Sequence, residues 1–266
     1  MQTLIVPSSP ALALSHAGSG PGVLFLHGIG GNRSNWFDQV EFLAAHGFHA
    51  AALDFRGYGE SADYEGPLDF AADFSNDALR ALDALGMEQA HIVGLSMGGR
   101  VARWFHALHP QRVASLTLAN TQPGFDAFGA QATEDFVAAR LSPLMAGQEP
   151  ADIAHELARG LIGVSAVPGA YERLVASMAA LHRTSYMKTV RASVEQDRGF
   201  DLSTLKAPTM VLASAEDKLY TPQLAQGMAQ KIPGARFTLL PRGGHLSNME
   251  QPALFNAALL AFLSSL

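Results

Sequence analysis

The stretch His91-Ile92-Val93-Gly94-Leu95-Ser96-Met97-Gly98-Gly99-Arg100 decides how the rest of the chain is read. An apolar run ends on a glycine, a serine follows, and a second glycine comes before a helical pattern at residues 101–108. This is the strand, sharp turn and helix context of a G-x-S-x-G elbow. The reason is steric. A serine at the tip of such a turn has a strained backbone, and side chains two positions to either side would collide where strand and helix approach. Glycine at 94 and 98 relieves that crowding. The helix that starts here also aims its free amides and positive dipole end at the spot where negative charge would develop on an attacked carbonyl. Taken alone, the five residues also fit a serine cap in a glycine-rich turn.

Working outward, residues 23–26, 50–55, 91–95, 115–119, 209–213 and 236–240 form apolar runs without alternation, as expected of strands covered on both faces. Helical patterns lie between most of them. Phe70, Phe74, Leu82 and Leu85 recur at helical spacing, with Asp69 at the start and Gly86 after the last periodic residue. Two short pieces, 3–6 and 11–15, are separated by Ser8-Ser9-Pro10 and read as an opening antiparallel pair. The whole predicts an α/β fold, a mostly parallel eight-stranded sheet with helices on both faces. Chemistry in such sheets sits beyond the carboxyl ends of the strands. The alternation breaks between about 121 and 206, where helices are expected around 134–140, 152–161, 171–181 and 186–195, with breaks at Pro143, Pro150, Gly163 and Pro168-Gly169. The expected organisation is a core of residues 1–121 and 206–266 with an inserted helical cap, or lid, at 122–205.

Composition narrows the function classes. A length of 266 residues allows one large domain or a core with an insertion. Hydrophobic residues at 48% against 16% charged exclude global disorder. A net charge of −6 argues against nucleic-acid or anionic-membrane partners. With no cysteine, the chain has no disulfide, thiolate zinc site, iron–sulfur cluster or Cys nucleophile. Residues 1–32 hold no Lys or Arg, so the charged flank of a secretory signal is missing. The apolar stretch at 259–263 is too short for a bilayer. A cytoplasmic location is expected; oligomeric state is not legible.

A serine hydroxyl needs a base, and the base needs a carboxylate to fix its tautomer. Of ten histidines, His245 stands out in Arg242-Gly243-Gly244-His245, directly after the run at 236–240. The preceding strand ends in Ala213-Ser214-Ala215-Glu216-Asp217, offering two carboxylates. Asp217 is the expected acid because it immediately precedes a loop entering a helix at 218–222, whereas Glu216 should point away. The other position for an acid, after the run at 115–119, holds Asn120, which cannot carry the charge. Chain order Ser96, Asp217, His245 suits this class of site. An oxyanion hole requires two backbone amides. Met97, next to the serine, supplies one, and Ile29 in His27-Gly28-Ile29-Gly30-Gly31 is assigned the other. His27 is expected to brace that loop.

These residues, with Asp54-Phe55-Arg56-Gly57-Tyr58-Gly59-Glu60-Ser61, resemble those of an α/β-hydrolase with a helical lid after the sixth strand. The elbow region and His245-Leu246-Ser247-Asn248-Met249-Glu250-Gln251-Pro252 resemble the branch of 3-oxoadipate enol-lactonases and related small-substrate esterases. The resemblance implies hydrolysis of a small-molecule ester or lactone through an acyl-enzyme, with no cofactor. Two other readings stay open: a carbon–carbon bond hydrolase of the same fold, and a small-molecule receptor that retains the triad. Relatives with an Asp nucleophile are set aside by Ser96. Arg33 and Trp36 are expected at the entrance, and Met145, Met178, Leu181, Tyr186 and Met187 in an adaptable apolar pocket. Arg140, Arg183, Lys188 and Arg191 are the candidates to meet an anionic substrate. Competing motifs fail. The dinucleotide pattern begun at Gly28 has Arg33 where its last glycine belongs, and His155-Glu156 is followed by Arg159 where a zincin histidine belongs, leaving no metal site.

Overall fold

The computed structural model describes residues 1–127 and 129–266. Eight strands form one sheet: β1 Gln2–Val6, β2 Leu12–Ala17, β3 Gly22–Leu26, β4 His49–Leu53, β5 Ala90–Leu95, β6 Val113–Ala119, β7 Thr209–Ser214 and β8 Arg236–Leu240. Their spatial order is β1-β2-β4-β3-β5-β6-β7-β8. β1 and β2 pair antiparallel, β2 joins β4 antiparallel, and every later pairing is parallel. This is the mostly parallel eight-stranded sheet that the runs predict, and it agrees with the α/β-hydrolase sheet that the resemblance implies. Every residue of β3 and β7 is buried, which is why neither alternates. β8 departs from expectation. It is an edge strand, and Arg236 and Leu239 face solvent rather than a second layer of helices.

Among the described residues the helices are α1 Phe37–Ala45, α2 Phe70–Ala84, α3 Met97–Leu108, α4 Ala130–Met145, α5 Pro150–Arg159, α6 Ala170–Ala179, α7 Arg183–Glu195, α8 Pro222–Ala229, α9 Ser247–Glu250 and α10 Pro252–Leu263. The signals at the ends of α2 behave as read: the Asp69 carboxylate accepts the Ala72 N–H at 2.9 Å, and Gly86 turns the chain away at φ 65. α3 begins four residues before its apolar periodicity, because Gly98 and Gly99 contribute no side chain to a pattern. Pro143 does not break α4. It sits in the last turn, where the missing N–H removes only one terminal bond. Pro150 opens α5 instead of interrupting it, since the first helical N–H has no intrahelical partner to lose.

α4 to α7 all lie between β6 and β7. Asp197, just past α7, ties this segment to the helix that carries the elbow. Its buried carboxylate accepts from Arg100 at 2.7 Å, from Arg103, and from Trp104 Nε1 at 2.7 Å. Burial pushes this carboxyl up, but the two guanidiniums and the indole outweigh it and hold the group below the usual carboxylate range. Among the described residues no helix is long and apolar enough to cross a membrane.

Asp197→Asn leaves two buried guanidiniums without a counter-ion, and urea denaturation at pH 7 should show a loss of about 3–5 kcal/mol. Because the folded-state pKa of Asp197 is depressed, its stabilisation is present above the unfolded carboxylate pKa, near 3.9, and is lost as pH falls through the folded value. Between pH 5 and pH 3 the variant should therefore lose less stability than the wild type.

Candidate active site

β5 runs directly into α3 through Ser96, which is held at φ 57, ψ −117. Few L-residues adopt this conformation, and it persists here because both peptide groups are pinned. The Ser96 N–H donates to the Ala119 carbonyl at 2.9 Å. Its carbonyl accepts the Gly99 N–H at 3.1 Å, the Arg100 N–H at 3.3 Å and the Thr121 hydroxyl at 2.6 Å. A Cβ at Gly94 would overlap the backbone of Gly98, and one at Gly98 would overlap the carbonyl of Leu26. The two glycines thus let strand, turn and helix cross within backbone contact.

His245 lies on the loop after β8, and Asp217 on the loop after β7. Both are buried, and His245 Nδ1 meets Asp217 Oδ2 at 3.0 Å. The rest of the Asp217 carboxylate is occupied. Oδ1 accepts the N–H groups of Leu219 and Tyr220 at 2.9 and 3.0 Å, and Oδ2 also accepts from Asn120 Nδ2 at 3.0 Å. Burial would raise this carboxyl, yet the charge and hydrogen bond of His245, the Tyr220 amide and Asn120 together hold it below its ordinary value. An ionised Asp217 fixes Nδ1 of His245 as the protonated nitrogen, leaving Nε2 with its lone pair. Tyr220 packs edge-on against the imidazole, ring centres 5.2 Å apart. Glu216 turns elsewhere, accepting from the Ser165 N–H at 3.1 Å and the Ser165 hydroxyl at 2.6 Å.

The loop after β3 supplies the facing wall. His27 braces it as expected: Nε2 accepts the Phe55 N–H at 3.2 Å, so the hydrogen on Nδ1 is donated to the Gly28 carbonyl at 2.8 Å. Burial lowers the His27 pKa and keeps the ring neutral, consistent with that accepting role. Ile29 follows on this loop, and among the described residues neither its N–H nor that of Met97 has a hydrogen-bond partner. Met97 is the first residue of α3, where an amide has no intrahelical acceptor.

Ser96, His245 and Ile29 line one cavity, of about 30 Å³, whose other walls come mainly from α4, α5, α6 and α7. Of the residues assigned to the pocket or entrance, Met178 and Tyr186 line this cavity and the other five do not. Arg33 is buried in an ion pair with Asp54, with a second contact to Glu60 at 2.7 Å, so it braces the loop after β3 rather than an entrance. Trp36 stacks on Phe25 at 4.8 Å inside the core. Leu181 is buried outside the cavity lining, and Met145 is 65% exposed at the end of α4. Met187, one residue on from Tyr186 on α7 and so rotated about 100° from it, is half-buried against the core and is not among the residues that line the cavity. Of the four cations considered, Arg140 alone lines it. Arg183 donates to the Leu144 carbonyl, Lys188 to the Tyr64 carbonyl at 3.0 Å, and Arg191 approaches Met145 Sδ at 3.8 Å.

Glu250 escaped the sequence reading. Its buried carboxylate accepts the N–H groups of Gly244 and Leu246, on either side of His245, and of Gly163 from the loop after α5, at 2.8, 2.8 and 2.7 Å. The His245 N–H donates to the Leu161 carbonyl at 2.9 Å. The histidine loop and residues 161–167 are therefore one hydrogen-bonded body. The only sequence signal is an acid five residues after the histidine, and nothing in that spacing announces burial.

The chain matches the model of the alpha/beta hydrolase fold over residues 21–252. It is 31% identical to the provisionally named carbamate hydrolase RutD of Caulobacter sp. (strain K31), covering 91% of this chain and 90% of that protein. It is 28% identical to 3-oxoadipate enol-lactonase 1 of Acinetobacter baylyi, covering 92% and 90%. Among solved structures, a thermophilic esterase from Thermogutta terrifontis superposes with a TM-score of 0.89 at 28% identity, covering 100% of this chain and 99% of that one.

Glu250→Ala strands three buried N–H groups, each worth about 1–3 kcal/mol when left unpaired. Equilibrium unfolding should register a loss of about 3 kcal/mol or more, while Glu250→Gln, which keeps one acceptor oxygen, should lose clearly less. Equal losses in the two variants would show that packing, not hydrogen bonding, holds the loop.

Proposed function

The chain belongs to the α/β-hydrolase family, and from that premise we propose that it is a serine hydrolase of small carboxylic esters or lactones. The observation that carries this reading is the opening onto one cavity of Ser96, at its strained φ, and of His245, which is paired behind it with the buried Asp217. The relatives named as an enol-lactonase and an esterase support acyl transfer as the reaction type.

In this reading, Nε2 of His245 takes the hydroxyl proton as Ser96 Oγ attacks the substrate carbonyl. Asp217, held ionised by its donors, stabilises the imidazolium that results. The N–H groups of Ile29 and Met97 receive the oxyanion, assisted by the dipole of α3. His245 returns the proton to the leaving alcohol as the carbon–oxygen bond breaks, and an acyl-enzyme on Ser96 remains. Water, deprotonated by the same nitrogen, attacks this ester and releases the acid. Residues 122–205 act as the cap that closes the site from water. The narrow cavity, with the flexible Met178 as one wall, suits a compact substrate admitted as that side chain shifts.

Ser96→Ala should reduce kcat on a short-chain aryl ester by about 10⁴ or more. Mass spectrometry should find a transient acyl adduct on Ser96 in the wild type. Near-normal turnover without the hydroxyl sinks the reading, and neither turnover nor adduct points to a receptor. Asp217→Asn should fall by about 10⁴, by analogy with the loss of the correct histidine tautomer. Glu216→Gln should not, and the reverse order would mean that the acid is misassigned.

A further inference from the structure

Five arginines are buried among the described residues: Arg33, Arg56, Arg100, Arg103 and Arg140. Four of them meet carboxylates. Arg33 pairs with Asp54, Arg56 with Asp73 and Asp77, and Arg100 and Arg103 share Asp197. Arg140, on α4, is 8% exposed and has no carboxylate within ion-pair distance among the described residues. Its contacts are neutral. Nη1 donates to the Phe136 carbonyl one turn back at 3.1 Å, the guanidinium lies 3.7 Å from the centre of the Phe136 ring, and the neutral Tyr186 phenol lies nearby. A guanidinium withdrawn from water without an anion is strongly disfavoured, and proteins retain one where a counter-charge arrives from elsewhere. This one lines the same cavity as Ser96 and His245.

We propose that Arg140 is the receptor for a substrate carboxylate, so that the preferred substrates are anionic: half-esters of dicarboxylic acids, or esters and lactones that carry a free carboxylate. The inference rests on the hydrolase reading above. A planar carboxylate suits the guanidinium fork, which it can engage through two parallel hydrogen bonds. A phosphate dianion fits less well, because the cavity offers one cation among predominantly apolar walls. The division of labour follows from topology. The core strands carry the groups that break the bond, and α4 carries the group that reads the charge, so selectivity for anions can change without disturbing Ser96.

The test compares matched pairs: the mono-4-nitrophenyl ester of glutarate against that of glutaramic acid, and 4-acetoxybenzoate against 4-acetoxybenzamide. These place the carboxylate on the acyl and the alcohol side. In at least one pair, wild-type kcat/KM should favour the anion by about ten-fold or more, the scale of one charged hydrogen-bonded contact. In Arg140→Gln that ratio should fall by about ten- to a hundred-fold, and Arg140→Lys, which keeps the charge but not the fork, should recover part of it. No anion preference in either pair, or a ratio unchanged in Arg140→Gln, overturns the proposal.

Calorimetry of glutarate against glutaramide on Ser96→Ala needs no catalysis and no folded Arg140 variant. Glutarate should bind at least about ten-fold tighter. If no ester is cleaved yet this preference holds, the hydrolase reading fails and the anion site stands; if esters are cleaved and the preference is missing, the reverse is true. Inorganic phosphate binding tighter than glutarate would overturn the assignment to carboxylates.

Discussion

Ser96 lies where three backbone segments, β3, β5 and α3, meet with no side chain between them, and the geometry of the molecule follows from keeping that crossing closed. A residue at φ 57 costs about 1–3 kcal/mol and survives only where its surroundings allow no alternative. Here β6 supplies that constraint. Its last residue, Ala119, accepts the Ser96 amide, and Thr121 just beyond it donates to the Ser96 carbonyl. The parallel register of β5 with β6 is thus part of the site as well as of the core. A slip of one residue would remove both anchors and relax the turn.

The His245–Asp217 pair is held on the same principle, by hydrogen bonds that occupy the carboxylate. Asn120 shows how. It stands at the end of β6, at φ 43, and its amide donates to Ser214 Oγ at 2.7 Å and to Asp217, while its oxygen accepts the Ser247 hydroxyl at 2.5 Å. A carboxylate in its place would repel Asp217 and favour its protonation, whereas the neutral amide stabilises the ionised form. Glu250 performs the corresponding service for the backbone around His245 and reaches into the helical segment as well. The wall that covers the site and the loop that carries the imidazole are therefore fastened together. A large displacement of residues 161–167 would disturb His245 too.

The buried charges fall into two kinds. Around Asp54, Asp77 and Asp197 the pairs are complete within the chain and fasten loops and helices to one another. Such pairs contribute modestly to net stability but are costly to break, and so they specify one arrangement over its competitors. Arg140 belongs to neither loop nor sheet and lines the cavity, which adds one guanidinium to walls that are otherwise apolar apart from Ser96, Tyr186 and His245. That combination sets orientation, because a ligand that satisfies the cation has few remaining ways to lie.

The amino-acid sequence by itself determined the sheet, the elbow and the positions of Ser96, Asp217 and His245 on loops after their strands. Those features depend on local chemistry: buried runs mark parallel strands, glycines mark a crossing, and loops after strands mark where side chains emerge. It also singled out Asp217 over Glu216 and a bracing role for His27, because turn and loop position follow from neighbours in the chain. The residues around the cavity were a different matter. Arg33 and Trp36 follow β3 closely in sequence, yet Arg33 is tied up with Asp54 and Glu60 and Trp36 stacks in the core, and of the adjacent Tyr186 and Met187 only Tyr186 lines the cavity. The pairing of Glu250 with Gly163, 87 positions away, and the lack of an ion-paired acid beside Arg140 among the described residues are equally invisible in one dimension. Only the tertiary structure decided them, because helix rotation and the presence or absence of a counter-charge arise from packing between segments that share no local pattern.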